Sequence, residues 1–243
     1  MAVYDDRFYR SWSKSKDLVS FEITVKETDL FISADKDLSA QAESAVKEIR
    51  EDIERYIKLY PRFKTSLTPL PDDKKAPLVI RRMLKASSKA AVGPMAAVAG
   101  AIAEIAAKQL LDKTSQIIAE NGGDIYILSK STRTIGVFAG ESPLSNKLGI
   151  EISAKDTPCG ICTSSATVGP SLSFGRADAA VIYSRDCALA DAAATAVGNI
   201  VKSKDDIKKG LNLAQDIKGV EGALIIIKDA FGAWGKIKIV DIT

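Results

Sequence analysis

Asp191 and Thr195 are two oxygen-bearing side chains in an alanine-rich segment, and their spacing could suit a metal ion. They stand four residues apart in Ala-Leu-Ala-Asp-Ala-Ala-Ala-Thr, residues 188–195, so on a helix both point to one face. Hard oxygen donors suit Mg²⁺ or Ca²⁺, with backbone carbonyls and phosphate oxygens completing the shell. The alternative is structural: Asp191 favours the dipole of its own helix and Thr195 bonds back to the backbone.

A second candidate is Gly122-Gly123-Asp124, which lies between two strand-like runs. Paired glycines let backbone amides approach an anion, and Asp124 could bind a metal or a ribose hydroxyl. A plain turn explains the same residues equally well.

A third candidate is the segment 162–178, which is rich in hydroxyl groups and contains one cation, Arg176. Hydroxyls and backbone amides donate hydrogen bonds and arginine offers a fork of donors, so the segment could bind phosphate. A solvated loop is the alternative, and the density of hydroxyls favours function. The hydroxyl residues are Thr163, Ser164, Ser165, Thr167, Ser171 and Ser173.

Cys159-Gly-Ile-Cys162 has the spacing of a redox dithiol. In a thioredoxin-like site the first cysteine begins a helix, whereas no helical pattern follows here. We therefore predict two unconnected, half-buried thiols.

The composition excludes several kinds of chemistry. The 243 residues include no histidine and only three cysteines, which rules out Ser-His-Asp catalysis, imidazole zinc sites and four-thiolate zinc sites. Lys and Arg total 34 against 31 Asp and Glu, interspersed along the chain, so no nucleic-acid footprint is expected. Any metal is expected to have oxygen ligands.

The segments that could reach a membrane are too short or too polar. The longest uncharged apolar stretch, 90–103, cannot span a bilayer. Residues 1–16 carry charges of both signs and resemble no secretion signal. A cytoplasmic protein without a membrane span is the prediction, and a homodimer is the default assembly.

The periodicity predicts a mixed α+β fold in a single domain, residues 1–243. An opening hairpin at 18–33 precedes a helix that Ser39 caps and Pro61 ends, and a proline-rich loop follows to residue 75. Further helices are predicted at 77–89, 95–112, 187–201 and 205–218, and strands at 116–119, 124–128, 132–138, 148–154, 177–184, 223–228 and 237–242.

Taken in chain order, these motifs resemble the ApbE-type flavin transferases. The order is Gly93-Pro94 with the Ala-rich helix, Gly122-Gly123-Asp124, Thr163-Ser164-Ser165 and Ala190-Asp191-x-x-x-Thr195. More narrowly, Gly-Pro-Met-Ala-Ala-Val-Ala-Gly at 93–100, Cys-Thr-Ser-Ser at 162–165 and Ser-Phe-Gly-Arg-Ala-Asp at 173–178 look like a shorter branch found in methanogenic archaea and some bacteria. That branch is associated with assimilation of sulfide into homocysteine, which implies protein partners in sulfur metabolism.

The resemblance implies an ApbE-like fold and an Mg²⁺-dependent enzyme that splits FAD and transfers FMN to a threonine of a partner protein. By position, Asp191, Thr195 and the carbonyl near Ala99 would bind the metal. Residues 122–124 and 163–165 would line the flavin nucleotide, and a nucleotide-binding module without catalysis is the alternative.

Two family features are altered in this sequence. Gly100 stands where the family's Gly-x-Ala-Lys-Gly has lysine, and a chain without histidine cannot carry the family's His-x-x-Asp-Pro segment. The loop 170–178 occupies the corresponding region. With Gly100 in place of a cation, a divalent ion or Arg176 is expected to compensate the charge of Asp191.

Overall fold

Eight antiparallel strands form the central sheet of the computed structural model, which describes residues 17–167 and 173–243. The spatial order is β1-β2-β3-β4-β7-β8-β9-β10. Most of these strands are rich in β-branched and aromatic residues, which suit a pleated, buried surface. Their bounds are β1 Val19–Val25, β2 Thr28–Ala34, β3 Ile117–Asn121, β4 Asp124–Leu128, β7 Cys159–Ser164, β8 Ala179–Ser184, β9 Val220–Ile227 and β10 Ala230–Gly235.

One face of this sheet is covered by helices. Helix α1 packs on β1, α4 on β3 and β4, α5 on β7 and β8, and α6 on β9. The apolar stripe of α1, including Val46, Ile49 and Ile53, is buried there. The bounds are α1 Ser39–Leu59, α2 Arg62–Thr65, α3 Leu78–Ala90, α4 Val98–Gln109, α5 Cys187–Ile200 and α6 Ile207–Asp216.

The opposite face carries a second core beneath a small sheet of order β11-β6-β5. Its strands are β5 Arg133–Gly136, β6 Leu148–Ile152 and β11 Lys238–Asp241. The inner strands β7, β8 and β9 are therefore buried on both faces. Their sequences are near-continuous apolar runs rather than alternating ones, because neither face meets water.

The α+β fold is confirmed, with differences at particular elements. Residues 162–164 were expected to belong to a hydroxyl-rich loop, but they form the end of β7, which was not predicted and which pairs with β4 and β8. Strand β10 was not predicted. The helix expected from residue 95 begins as a 3₁₀ turn, Pro94–Ala97, before α4. The predicted cap at Ser39 was wrong, because Leu38 holds that position and makes no side-chain cap.

The membrane prediction concerns helix length. Within residues 17–167 and 173–243, no single helix is long and apolar enough to cross a bilayer. The helical segments Leu78–Ala90 and Pro94–Gln109 are long and apolar enough only when taken together, and a 105° bend separates them.

Candidate functional site

Two carboxylates from distant parts of the chain, Asp124 on β4 and Asp191 on helix α5, lie close enough to interact. Asp124 is the first residue of β4 and is only 7% exposed. Its Oδ1 has no hydrogen-bond partner in the described structure. Burial, and then the nearby charge of Asp191, raise the pKa of Asp124 well above its usual range, although the Cys162 thiol and the N–H of Thr163 oppose the shift. A buried oxygen without a partner calls for a proton or a cation.

Asp191 uses one of its oxygens at the start of another helix. The N–H of Gly100 donates to Asp191 Oδ2 over 2.9 Å. Helix α4 begins at Val98, so the N–H groups of Ala99 and Gly100 have no partner within their own helix. Burial raises the pKa of Asp191 to about 7, although these two N–H groups favour the charged form. Asp191 was expected, in the structural alternative, to stabilise its own helix α5. It instead stabilises the start of α4.

The carbonyl of Ala99 is held next to the β3–β4 hairpin. Asn121 Nδ2 donates to Ala99 O over 3.2 Å, and Asn121 is the cross-strand partner of Asp124. Ala99 lies in the first turn of α4, so its carbonyl also points along the helix towards the N–H four residues later. Thr195 lies one turn beyond Asp191 and is half-buried, like Asp191 itself.

Gly122 and Gly123 form the turn that positions Asp124. Their φ angles are +66° and +98°, a conformation that suits a two-residue hairpin and favours glycine. The N–H of Gly123 donates to Glu120 Oε1 over 2.9 Å. One of the amides expected to bind an anion is therefore already occupied, and the turn serves first to place Asp124.

The predicted hydroxyl cradle lies partly in a strand. Thr163 and Ser164 are the last residues of β7, and both are half-buried. Ser164 Oγ faces Gly198 of α5, where an added Cβ would lie 3.4 Å from it. Ser165 follows the strand, and its hydroxyl lies 3.3 Å from that of Thr167. Ser171 and Pro170 lie outside the described residues.

Arg176 does not pair with Asp191. Its backbone N–H donates to Val201 O over 2.7 Å, which places it at the C-terminal end of α5, and its side chain is exposed. Among residues 17–167 and 173–243 it has no ion-pair partner. The structure thus leaves the charge of Asp191 without the arginine proposed to compensate it.

Gly100 is required by the close approach of two helices. A Cβ at this position would lie 2.4 Å from Cys187 O and 2.9 Å from Asp191 Cβ. Real Cβ atoms do not approach a carbonyl oxygen so closely, so no lysine fits without moving α4 away from α5. The close packing of α4 on α5 therefore excludes the lysine that the family carries at position 100.

The three thiols are buried, and two of them touch. Cys159 and Cys162 belong to different core clusters on opposite faces of β7, as the strand period dictates. The prediction that they are unconnected holds, although they are fully buried rather than half-buried. Cys162 Sγ instead lies 3.5 Å from Cys187 Sγ, a contact that the sequence spacing did not indicate. Burial raises the pKa of Cys159 to about 12 and raises that of Cys162 strongly.

Glu104 was missed in the sequence, although a lone acid in an alanine-rich helix is a signal. It is 1% exposed and accepts the N–H of Cys187, the first residue of α5, over 2.9 Å. Arg82 and Lys108 pair with its Oε1 at 2.8 and 2.6 Å. This cluster fixes the start of the helix that carries Asp191, and its role is positional.

The donors present fit a hard cation better than a soft one. No group of three or more His, Cys, Asp or Glu side chains with metal-binding geometry occurs in the described part of the chain. Asp124 and Asp191 offer two carboxylates, Thr195 follows Asp191 by one turn of α5, and the backbone N–H of Ala99 interacts with Asp191. Mg²⁺ characteristically uses one or two carboxylates and takes its remaining ligands from water and phosphate. The unpartnered Oδ1 of Asp124 is a further oxygen that could bind such a cation.

Comparisons with known proteins agree with this architecture. A family model described as AbpE bacteria matches residues 10–231. A UPF0280 protein of Methanosarcina acetivorans is 40% identical over 216 residues, covering 88% of this chain and 85% of its own. A UPF0280 protein of Methanocaldococcus jannaschii is 42% identical over 221 residues, covering 88% and 90%.

Solved structures share the fold. The flavin transferase ApbE from Vibrio cholerae superposes with a TM-score of 0.53 at 12% identity, over 90% of this chain and 96% of that one. The ApbE protein from Thermotoga maritima gives a TM-score of 0.54 at 13% identity, over 88% and 96%. The chain therefore belongs to the family that the AbpE bacteria model describes, as an ApbE-like protein similar to the UPF0280 proteins of methanogens.

Proposed function

We propose that the chain binds a divalent cation, Mg²⁺ foremost, beside Asp124 and Asp191 and uses it to hold the diphosphate of FAD. The observation that carries this proposal is the pair of buried carboxylates, one with an unpartnered oxygen, that no described cation neutralises. An ApbE fold with this pair supports an FMN transferase or an FAD pyrophosphatase. Ca²⁺ is the alternative ion.

Each residue of the site would have a limited task. Asp191, Thr195 and the Ala99 carbonyl would hold the ion, and Asp124 would contribute its free Oδ1. The hairpin residues 122–124 and the end of β7, residues 163–165, would line the nucleotide. Arg176 would bind a more distant anionic or ring group of the same ligand.

The bound cation would neutralise the charge that develops when the diphosphate is cleaved. In the transferase reaction a threonine hydroxyl of the partner attacks the phosphorus of the FMN half. The P–O bond to AMP breaks, AMP leaves with the electron pair, and the hydroxyl proton passes to solvent. In the pyrophosphatase reaction water replaces the threonine.

Incubation with FAD and Mg²⁺ tests this proposal. Release of AMP, detected by chromatography, is expected with the wild-type chain and is lost in Asp191→Ala. Asp205→Ala, at an exposed position outside the site, should behave as wild type. Absence of both flavin binding and AMP release from the wild-type chain would refute the flavin chemistry.

One observation favours binding without catalysis as a second candidate. An added side chain at Gly100, where the family has lysine, would overlap Cys187 O, so the site lacks the cation that the family carries at this position. A nucleotide-binding or partner-binding module would retain ligand affinity without turnover. Flavin binding that depends on Mg²⁺ but yields no AMP over long incubation would select this candidate.

For the physiological role we propose cytoplasmic assimilation of sulfide into homocysteine, together with protein partners of sulfur metabolism and a homodimeric state. The support is the resemblance of residues 93–100 and 173–178 to the methanogen branch and the similarity to UPF0280 proteins of methanogens. Deletion of the gene should impair growth on sulfide as sole sulfur source. Unchanged growth under that condition would contradict this role, and sedimentation would give the oligomeric state.

A further inference from the structure

Helix α5 carries one narrow stripe of half-buried polar residues. Of its 14 residues, all are buried except Asp191, Thr195, Asn199 and Ile200. The first three are spaced by four residues and therefore follow one face of the helix. The stripe runs from the carboxylate pair towards the C-terminal end of α5 over about 12 Å, at 1.5 Å per residue.

An exposed aromatic residue is fixed at the far end of this stripe. The N–H of Phe174 donates to Asn199 Oδ1 over 2.9 Å, so the last polar residue of the stripe holds the backbone of Phe174. Gly175 packs so tightly on the last turn of α5 that an added Cβ would lie 1.9 Å from Gly198 O. Despite this anchored backbone, Phe174 is 55% exposed.

The electrostatics assign different chemistry to the two ends. The C-terminal end of α5 carries the partial negative charge of the helix dipole, which disfavours phosphate. The cation proposed at Asp191 is the place for phosphate. A flat, uncharged ring suits the other end, where Phe174 offers an apolar face and Arg176, without an ion-pair partner among the described residues, is a second stacking group.

We propose that Phe174 is the platform on which a planar heteroaromatic ring of the nucleotide stacks, with the ligand lying along the stripe from Asp191 to Asn199. This inference rests on the proposed function, since the diphosphate is placed by the cation. The ring belongs to either half of the dinucleotide, adenine or isoalloxazine, and both present the same flat face to Phe174.

Binding measurements with Mg²⁺ present test this inference. FAD, ADP and FMN are titrated separately into wild type, Phe174→Ala, Phe174→Trp and Asp191→Asn. Phe231→Ala is the matched control, because Phe231 is 48% exposed on the edge strand β10. Loss of one stacking contact weakens FAD binding by roughly 5- to 150-fold in Phe174→Ala, whereas Phe174→Trp and Phe231→Ala retain wild-type affinity. The loss recurs with ADP if adenine is the stacked ring, and with FMN if isoalloxazine is.

The outcomes separate this inference from the proposed function. Unchanged FAD affinity in Phe174→Ala, with affinity still lost in Asp191→Asn, overturns the platform alone. Equal losses in Phe174→Ala and Phe231→Ala also overturn it, since they would reflect a general change of the surface. No FAD binding by the wild-type chain overturns the platform and the proposed function together.

Discussion

Replacing Asp191 by asparagine should stabilise the metal-free protein at neutral pH and leave it unchanged in acid. The pKa of Asp191 is raised to about 7 from 3.8, so between these values the folded protein holds a proton that the unfolded chain has released. Stability from this group is therefore complete below about pH 4 and is lost as pH rises towards 7. Asparagine carries no charge at any pH, and its Oδ1 can still accept the N–H of Gly100.

The magnitude follows from the shift. Each pKa unit corresponds to about 1.4 kcal/mol, so the full shift corresponds to about 4 kcal/mol. Asp191 is half-buried, and relaxation around its charge reduces the effect, so we expect a gain of about 2 to 4 kcal/mol at pH 8. A cap on helix α4 is worth about 0.5 to 2 kcal/mol in the opposite direction, and the raised pKa indicates that burial outweighs it.

The assay is urea unfolding of wild type and Asp191→Asn at about pH 4, 6 and 8, in EDTA and in excess Mg²⁺. The free energy difference between the two proteins should be near zero at pH 4 and grow with pH in EDTA. Mg²⁺ should stabilise only the wild type at pH 8, which removes the difference, because ligand binding adds to folding free energy. A wild type that is as stable as Asp191→Asn at pH 8 in EDTA would refute this reasoning.

Three further predictions concern packing and the buried ions. Gly100→Ala should destabilise the fold by about 1 to 3 kcal/mol in urea unfolding, because the added Cβ would overlap Cys187 O. Gly198→Ala is the control. It should change the free energy of unfolding by less than about 1 kcal/mol, because the nearest atom to its added Cβ lies 3.4 Å away. Glu104→Gln should cost about 1 to 3 kcal/mol by the same measurement, because Lys108 loses its carboxylate and Arg82 keeps only Asp186, while the amide can still accept the N–H of Cys187. All three cysteines should react slowly with a thiol reagent at neutral pH and rapidly once unfolded, because each is fully buried; fast selective labelling of Cys162 would contradict this.

Much of the fold was predictable from local patterns. The stripe of α1 and the alternation in the first hairpin are local signals that tertiary contacts reinforce. Strand β7 gave no such signal, because a strand buried on both faces has no alternation and Cys-Gly-Ile-Cys-Thr-Ser is short and rich in small residues. The strand became visible only through its pairing with β4 and β8.

The residues of the candidate site could be predicted from the sequence, but the contacts between them could not. Asp124 and Asp191 were each selected by their neighbours, yet nothing local shows that they approach each other. That approach depends on β4 pairing with β7 and on α5 packing over β7. The contact between Cys162 and Cys187 depends on the same packing. The role of Glu104 at the start of α5 likewise joins residues that are 83 positions apart.

Position 100 links the altered sequence to the electrostatics of the site. With glycine there, α4 lies close enough to α5 for the N–H of Gly100 to reach Asp191 at 2.9 Å. A lysine would supply a charge but would force the helices apart and break that bond, since its Cβ would overlap Cys187 O. Two neutral backbone donors stabilise the charged form of Asp191 instead, and they lower its pKa less than burial raises it. Burial thus keeps the pKa of this carboxylate raised, and under the proposed function a divalent cation would compete with a proton there rather than with a fixed side chain.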